Sequence, residues 1–343
     1  MNKLILLDGS NLLHRSLHIP DVYSLFYNGI KTGGVHSFLR SVMMIVRGFQ
    51  DFPIVLWDKG FSERRIKLYP NYKKREDKDQ QEKSGMIEPK DMDYRDEYRK
   101  QRAIINKILE PLGIPSLLIP NTEADDIISY LVKTYKDNIS CVMSEDLDFL
   151  QLLDDTDLFL PMRKKYYTQK PVLEMGLVNY FKLNKVLLTK LEDLEYDSTR
   201  HYLVAKAMRG DPSDNIKGAK GIGEVSAKKL ALEFIKYSFP NPLGYLEELK
   251  QKPILGAYEK KLLKDWDNFL LSLELVDLSR EEFSKEKKED ILRQTKLAMT
   301  RESTDIISLM GIFGEYGLQQ IMIDLPEYLK ILMFAKCDVI KLF

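Results

Sequence analysis

The residues best placed to do chemistry in this chain are acids that follow short apolar runs. Asp8 closes LILLD and Asp58 closes IVLWD, while Glu123, Asp125 and Asp126 follow a third run in TEADD. Asp146 and Asp148 follow a fourth in SEDLD, and Asp211 and Asp214 stand further on in GDPSDN. Singly, each has an ordinary explanation, because Asp favours strand ends and N-caps, and Glu123 with Asp126 can simply open a helix. Collectively that explanation weakens. Two like charges about 4 Å apart cost roughly 4 kcal/mol at an effective dielectric of about 20. A convergent set is therefore expected to take up protons unless divalent cations make it tolerable. Oxygen ligands without His or Cys suit magnesium, with manganese as a substitute, and not zinc. Such a site fits a two-metal displacement at phosphorus.

Convergence depends on the elements that carry these acids. Leu4 to Leu7, Ile54 to Trp57, Ser116 to Ile119, Ile139 to Met143 and Leu158 to Leu160 are brief and rich in Ile, Val and Leu, as buried parallel strands are. Between them His36 to Phe49, Glu97 to Leu112 and Glu123 to Tyr135 carry helical periodicity. This alternation predicts an α/β fold with a mainly parallel central sheet flanked by helices. The carboxyl ends of such strands share one edge, so Asp8, Asp58, Glu123 and Asp146 are expected to meet there.

The chain divides into three regions on this reading. Residues 1–185 form the α/β core, including a charged segment of about residues 69–98 that is too long for an ordinary connection. Residues 186–270 read as a helical region, and residues 271–343 as a C-terminal extension. The apolar stretch from Tyr328 to Phe343 is expected to dock on the body, since exposed apolar patches are uncommon in monomers.

Composition narrows the class further. The 343 residues carry 52 basic and 52 acidic side chains, a net charge of zero, so attraction to nucleic acid has to come from local patches. No apolar run approaches the roughly 20 residues needed to span a bilayer, and no membrane partner is expected. Two distant cysteines, Cys141 and Cys337, fit a reducing compartment, the cytoplasm or a host's cytoplasm.

One local patch is strong. Lys59 to Arg75 holds seven basic residues and one acid. Tyr69 and Tyr72 interleave with Arg64, Arg65, Lys73 and Arg75, so rings could stack on unpaired bases while cations follow the backbone. A second device is KGAKGIGEVSAKKL. Gly218, Gly221 and Gly223 allow a tight turn, and Ser226 to Leu230 opens a helix whose N–H groups can face a phosphate beside Lys220, Lys228 and Lys229. It follows no strand, which argues against a dinucleotide fingerprint.

LLDGSNLLHRS, VLWDKG, TEADDIISYL, SEDLDFLQL and GDPSDNIKGAKGIGEVSAKKL resemble, in order and spacing, the motifs of the 5′-nuclease family. That family comprises flap endonucleases, bacteriophage 5′–3′ exonucleases and the 5′-nuclease domain of bacterial DNA polymerase I. The resemblance spans roughly residues 1–235 and is to the stand-alone phage or bacterial type. It implies that Asp8, Asp58, Glu123, Asp125, Asp126, Asp146, Asp148, Asp211 and Asp214 hold two magnesium ions, with Asp146 and Asp148 central to catalysis. It implies hydrolysis of DNA at 5′ ends, flaps and junctions in replication or repair, leaving a 5′-phosphate and a 3′-hydroxyl. RNA primers on DNA are a further substrate it suggests. Residues 69–98 become an arch over the site, with Lys73 contacting the substrate. The glycine turn becomes a helix–three-turn–helix, a variant of the helix-hairpin-helix, that grips duplex backbone, often around potassium. A monomer is expected, and no sliding-clamp peptide points to a replication partner.

Two positions depart from the family pattern. Glu145 adds a carboxylate where a small residue is usual, and Val225 replaces a frequent lysine. Two other functions compete: a scaffold that binds branched DNA without cutting it, and a PIN-type RNA nuclease. The full acid set disfavours the first and the duplex-gripping segment the second; magnesium-stimulated flap cleavage and a DNA-against-RNA comparison separate them.

Overall fold

The computed structural model describes residues 2–19, 25–74, 89–171, 175–238, 242–280, 283–300 and 306–342. Its centre is a seven-stranded sheet of β1 (Leu4–Asp8), β4 (Phe52–Trp57), β5 (Ser116–Leu118), β6 (Ile139–Met143), β7 (Asp157–Leu160), β8 (Lys165–Tyr167) and β9 (Leu187–Thr189). Two short hairpins lie outside it, β2 (Phe26–Tyr27) with β3 (Ile30–Lys31) and β10 (Gly210–Asp211) with β11 (Ile216–Lys217). The sheet order is β5-β4-β1-β6-β7-β8-β9. Every neighbouring pair is parallel except β7 with β8.

The expected core strands are present, and the reason is burial. Every residue of β1 and β4 is buried, so neither strand alternates polar with apolar. Helix Gly33–Phe49 packs against helices Gly9–Leu17 and Pro89–Leu109, and helix Ala124–Thr134 packs on β1 and β4. Trp57, at the end of β4, stacks on Phe38 at 5.6 Å. Gly9 is pressed so close to β4 that a Cβ there would lie 2.7 Å from Val55. The chain therefore turns into a helix directly after Asp8, which fixes where that carboxylate ends up.

Some expectations needed correction. β8 and β9 extend the sheet although neither was read as a strand. Each is three residues long, too short to show a period, and exists by pairing with its neighbour. Helix Pro89–Leu109 occupies part of the segment expected to be an arch; residues 75–88, Arg75 among them, lie outside the described residues.

The second half is helical, as expected. Helices Thr199–Arg209, Glu224–Ser238 and Trp266–Val276 pack together, with Phe234 set edge-on to Tyr245 at 5.4 Å and to Phe269 at 5.6 Å. The last helix carries its C-terminal end back to the α/β core. A helix end leaves several carbonyls without partners, and here the core supplies the donors. Arg64 Nη1 donates to Glu274 O at 2.7 Å, Arg65 Nε to Leu275 O at 3.0 Å and Gln151 Nε2 to Val276 O at 3.0 Å. Arginines at this end also suit the helix dipole. Helix Leu325–Val339 buries Tyr328, Leu329 and Leu332 and packs on helix Gly33–Phe49, the docking expected of the C-terminal stretch. Among the described residues no helix is long and apolar enough to cross a membrane.

Candidate active site

The acids gather at one end of the sheet. Asp8 caps the helix that follows it, accepting from Asn11 N at 3.0 Å, and takes a second bond from Ser144 Oγ at 2.9 Å. Ser144 Oγ in turn accepts from Asp146 N at 3.0 Å, so one hydroxyl ties the loop after β6 to the end of β1. Asp146 accepts from Asp148 N at 2.9 Å and starts the turn Leu147–Leu152. On the other side, Asp58 N donates to Ser10 Oγ at 2.8 Å, and the Asp58 carboxylate accepts from Ala124 N at 2.7 Å. Asp58 thereby takes an N–H at the start of helix Ala124–Thr134, whose N-cap and first turn carry Glu123, Asp125 and Asp126. Those three can each offer an oxygen within 4.8 Å of the others.

The GDPSDN loop joins from the helical half. Lys73 N donates to Asp214 O at 2.9 Å, and Asn215 Nδ2 donates to Asn71 O at 2.8 Å. All nine acids singled out in the sequence thus fall into one electrostatic group. Asp8 feels Asp58 and Asp146; Asp58 feels Asp125 and Glu123; Asp126 feels Asp125 and Glu123; Asp146 feels Asp148 and Asp125; Asp214 feels Asp211, Glu123 and Asp125.

The expectation that divalent ions alone make such crowding tolerable is corrected by three internal cations. Arg65, only 2% exposed, reaches Glu123 at 2.6 Å, Asp126 at 2.8 Å and Asp125 at 3.5 Å. Lys73 Nζ pairs with Glu123 and lies 3.6 Å from Asp214. Lys206 Nζ pairs with Asp148 and lies 2.7 Å from Asp211. The Tyr72 hydroxyl lies 3.0 Å from Glu123 and 3.2 Å from Asp214. The oxygens of Glu123, Asp125 and Asp126 are the most closely grouped, yet Arg65 already serves them. Asp8, Asp58 and Asp146 have no cation in direct contact among the described residues.

Protonation follows this division only in part, since Asp126 and Asp214 are raised despite their cations. Burial pushes the Asp8 carboxyl well above its ordinary range, and Asp58 adds to the shift. Desolvation within the crowded group raises Asp58 too, although the residue is exposed. Desolvation among the neighbouring acids and then the Asp148 charge push the carboxyl of Asp146, itself an exposed residue, up to about 7 against the pull of Lys206. Burial and Asp125 raise Asp126 to about 7 despite Arg65, and burial raises Asp214 to about 6 despite Lys73. Burial would raise Asp211 too, but Lys206 outweighs it and holds the carboxyl at about 2. Tyr98, half-buried beside Ser10, Asp58 and Asp8, is pushed up to about 12, mainly by desolvation.

Several residues proposed to face DNA are spent on the protein instead. Arg65 and Tyr72 are buried, and the Arg64 guanidinium holds Glu274. Lys228 Nζ is occupied by Leu194 O at 2.8 Å and Glu195 at 3.2 Å, and buried Ser226 donates to Gly223 O at 2.9 Å. A basic run was read as a surface, yet Arg65 points inward, while half-buried Arg64 stays at the edge. Lys220, Gly221, Gly223 and Lys229 are exposed, whereas Gly218 and Tyr69 are half-buried. Glu145 does not join the acids: it accepts from Met162 N at 2.6 Å and pairs with Arg163 at 3.3 Å, bracing the turn between β7 and β8. Lys206 and Ser144 were not singled out in the sequence. The one signal for Lys206 was a Tyr202–Lys206 pair spaced to share a helix face.

Comparison with known proteins adds to this geometry. Residues 3–176 match the family model described as 5′-3′ exonuclease, N-terminal resolvase-like domain. The chain is 27% identical over 310 residues to a 5′-3′ exonuclease of Aquifex aeolicus (strain VF5), covering 89% of this chain and 84% of that protein. It is 30% identical over 242 residues to a 5′-3′ exonuclease of Bacillus subtilis (strain 168), covering 68% and 71%. Among solved structures, T5 5′-exonuclease with bound divalent metal ions (zinc) is similar with a TM-score of 0.64 and 21% identity, over 86% of this chain and 99% of that one. At that identity the likeness concerns the fold.

Proposed function

Because the chain belongs to the 5′–3′ exonuclease branch of the 5′-nuclease family, we propose that it is a metal-dependent nuclease that hydrolyses DNA phosphodiesters at 5′ ends, flaps and junctions. The observation that carries this reading is a deficit of positive charge. Among the described residues nine carboxylates meet and three cations pair with them directly, leaving buried Asp8 and the exposed Asp58 and Asp146 without an ion-pair partner. Proteins seldom keep such a group without a ligand that repays its repulsion.

The donor set fits magnesium. It consists of carboxylate oxygens with no histidine or cysteine among them, which suits a hard divalent ion, manganese included. Asp8, Asp58, Glu123, Asp125, Asp126, Asp146, Asp148, Asp211 and Asp214 would hold two such ions. When bound, these ions supply Lewis-acid stabilisation of charge developing on a phosphodiester. The chain's own part is to hold the oxygens in place. Ser144 sets Asp8 against Asp146, the Ala124 N–H orients Asp58, and Arg65 with Tyr72 locks Glu123. Lys73, with its side chain 28% exposed, can turn to the scissile phosphate and neutralise it, an electrostatic role.

Duplex binding falls to the turn from Gly218 to Gly223. Gly221 has a φ of 78°, which spares a side chain where backbone N–H groups approach phosphate. Exposed Lys220 and Lys229 flank it, in the role of a helix–three-turn–helix around potassium. The products would carry a 5′-phosphate and a 3′-hydroxyl, and an RNA primer strand would be cut as DNA is. Digestion of one labelled panel (flap, nick, blunt end, RNA primer) with and without magnesium tests this. Magnesium-dependent release of the 5′ strand supports the reading, and tight binding of the flap with no product contradicts it.

A further inference from the structure

We infer that Lys73 and Lys206 are resident counter-ions, holding the acid cluster together when it is metal-free and giving way to a divalent ion, so that they set how tightly the site binds it. The inference rests on the metal-site reading above and concerns the lysines themselves. Their placements match in kind. Lys73 joins Glu123 of the α/β core to Asp214 of the GDPSDN loop, and Lys206 joins Asp148 of the core to Asp211 of the same loop. Each lysine therefore spans one core carboxylate and one loop carboxylate. Between them they close the seam on both sides.

Competition follows from the chemistry of the two kinds of cation. An ammonium offers three donors and one charge, while a divalent ion asks for six or more oxygens. Both need the same oxygen lone pairs. Asp148 and Asp211 are engaged by Lys206, whose side chain is only 7% exposed. An ion that recruits those oxygens must first separate them from Nζ, and the cost appears as weaker affinity. Lys73 is the easier of the two to displace, being 28% exposed on its side chain. Its backbone stays anchored through Lys73 N to Asp214 O at 2.9 Å, so the freed ammonium remains beside the site.

Arg65 is not a competitor of this kind. It is 2% exposed, and a fourth contact, to Leu275 O, fixes it. Its planar fork is shared among carboxylates, and no route leads it outward without undocking helix Trp266–Val276. The cluster thus holds one permanent cation and two exchangeable ones. The metal-free protein keeps its seam shut, and the ion replaces the lysines instead of meeting bare repulsion.

Calorimetric titration of magnesium into the full chain tests this, comparing the parent with Lys206→Met and Lys73→Met, alongside the thermal midpoint with and without magnesium. Methionine keeps the buried stem and deletes the ammonium. The dissociation constant for magnesium is expected to fall about tenfold in Lys206→Met, roughly 1.4 kcal/mol. A smaller fall is expected in Lys73→Met. The metal-free midpoint should drop in both, and the rise on adding magnesium should be larger than in the parent. An unchanged or weaker affinity in the variants overturns the inference while leaving the metal site standing. A parent that binds no divalent ion overturns both. If Lys206→Met fails to fold, Lys73→Met decides by the same criterion, because its partly exposed side chain is not needed for packing.

Discussion

Arg65→Met removes the guanidinium that three carboxylates share while keeping most of the apolar stem. It deletes contacts of 2.6 Å to Glu123 and 2.8 Å to Asp126, and leaves the carbonyl of Leu275 without its donor at 3.0 Å. Removing one partner of a buried ion pair costs about 3–5 kcal/mol, and an orphaned buried acceptor adds about 1–3 kcal/mol. Protonation works the other way. The Asp126 carboxyl stands at about 7 even with Arg65 present, raised by burial and by Asp125, so it takes up a proton and sheds part of the penalty. The net expectation for the metal-free protein is a loss of about 3–5 kcal/mol, read by urea unfolding in EDTA followed by far-UV circular dichroism. Adding Asp126→Leu to Arg65→Met should return a good part of that loss, because the stranded charge leaves with its partner. A loss below about 1 kcal/mol, the size of a solvent-exposed pair, would refute the reasoning and place Arg65 in effective contact with water.

Three further outcomes are expected. Lys73→Ala should depress turnover more than duplex affinity, measured by single-turnover cleavage beside fluorescence anisotropy; equal turnover would return Lys73 to an ordinary exposed lysine. Glu145→Gln should leave the cleavage rate close to the parent's, since its carboxylate braces Met162 and Arg163, and a large fall would put it back among the metal ligands. Gly218→Ala should cost about 1–3 kcal/mol through overpacking, because a Cβ would lie 2.3 Å from the backbone of Arg209 and Gly210. Thermal unfolding checks that value, and an unchanged midpoint would show that the turn has room.

The site was legible where it depended on strand ends. Asp8 and Asp58 directly follow unbroken apolar runs, and Asp146 comes just after the strand ISCVM; a parallel sheet carries such positions to one edge whatever else the chain does. What the sequence hid were pairings across long separations. Lys206 meets Asp148 58 residues away, and the shared helix face of Tyr202 and Lys206 says nothing of that partner. Arg64 and Arg65 sit side by side in a basic run, yet successive helix positions point in different directions, so one can be buried while the other stays at the edge. The turn of Arg65 inward depends on helix Trp266–Val276, more than 200 residues downstream in sequence, offering free carbonyls. The strands β8 and β9 were hidden for a related reason, since three residues carry no period and their pairing is tertiary.

The most direct test is the rate of cleavage of a 5′-labelled flap duplex in magnesium and in EDTA, for the parent chain and for Asp146→Asn and Asp148→Asn. The expected result is cleavage by the parent in magnesium alone, and none above background by either variant, each retaining the parent's circular dichroism spectrum. Undiminished cleavage in EDTA, or by the folded variants in magnesium, would contradict the claim that these gathered carboxylates act by holding divalent ions.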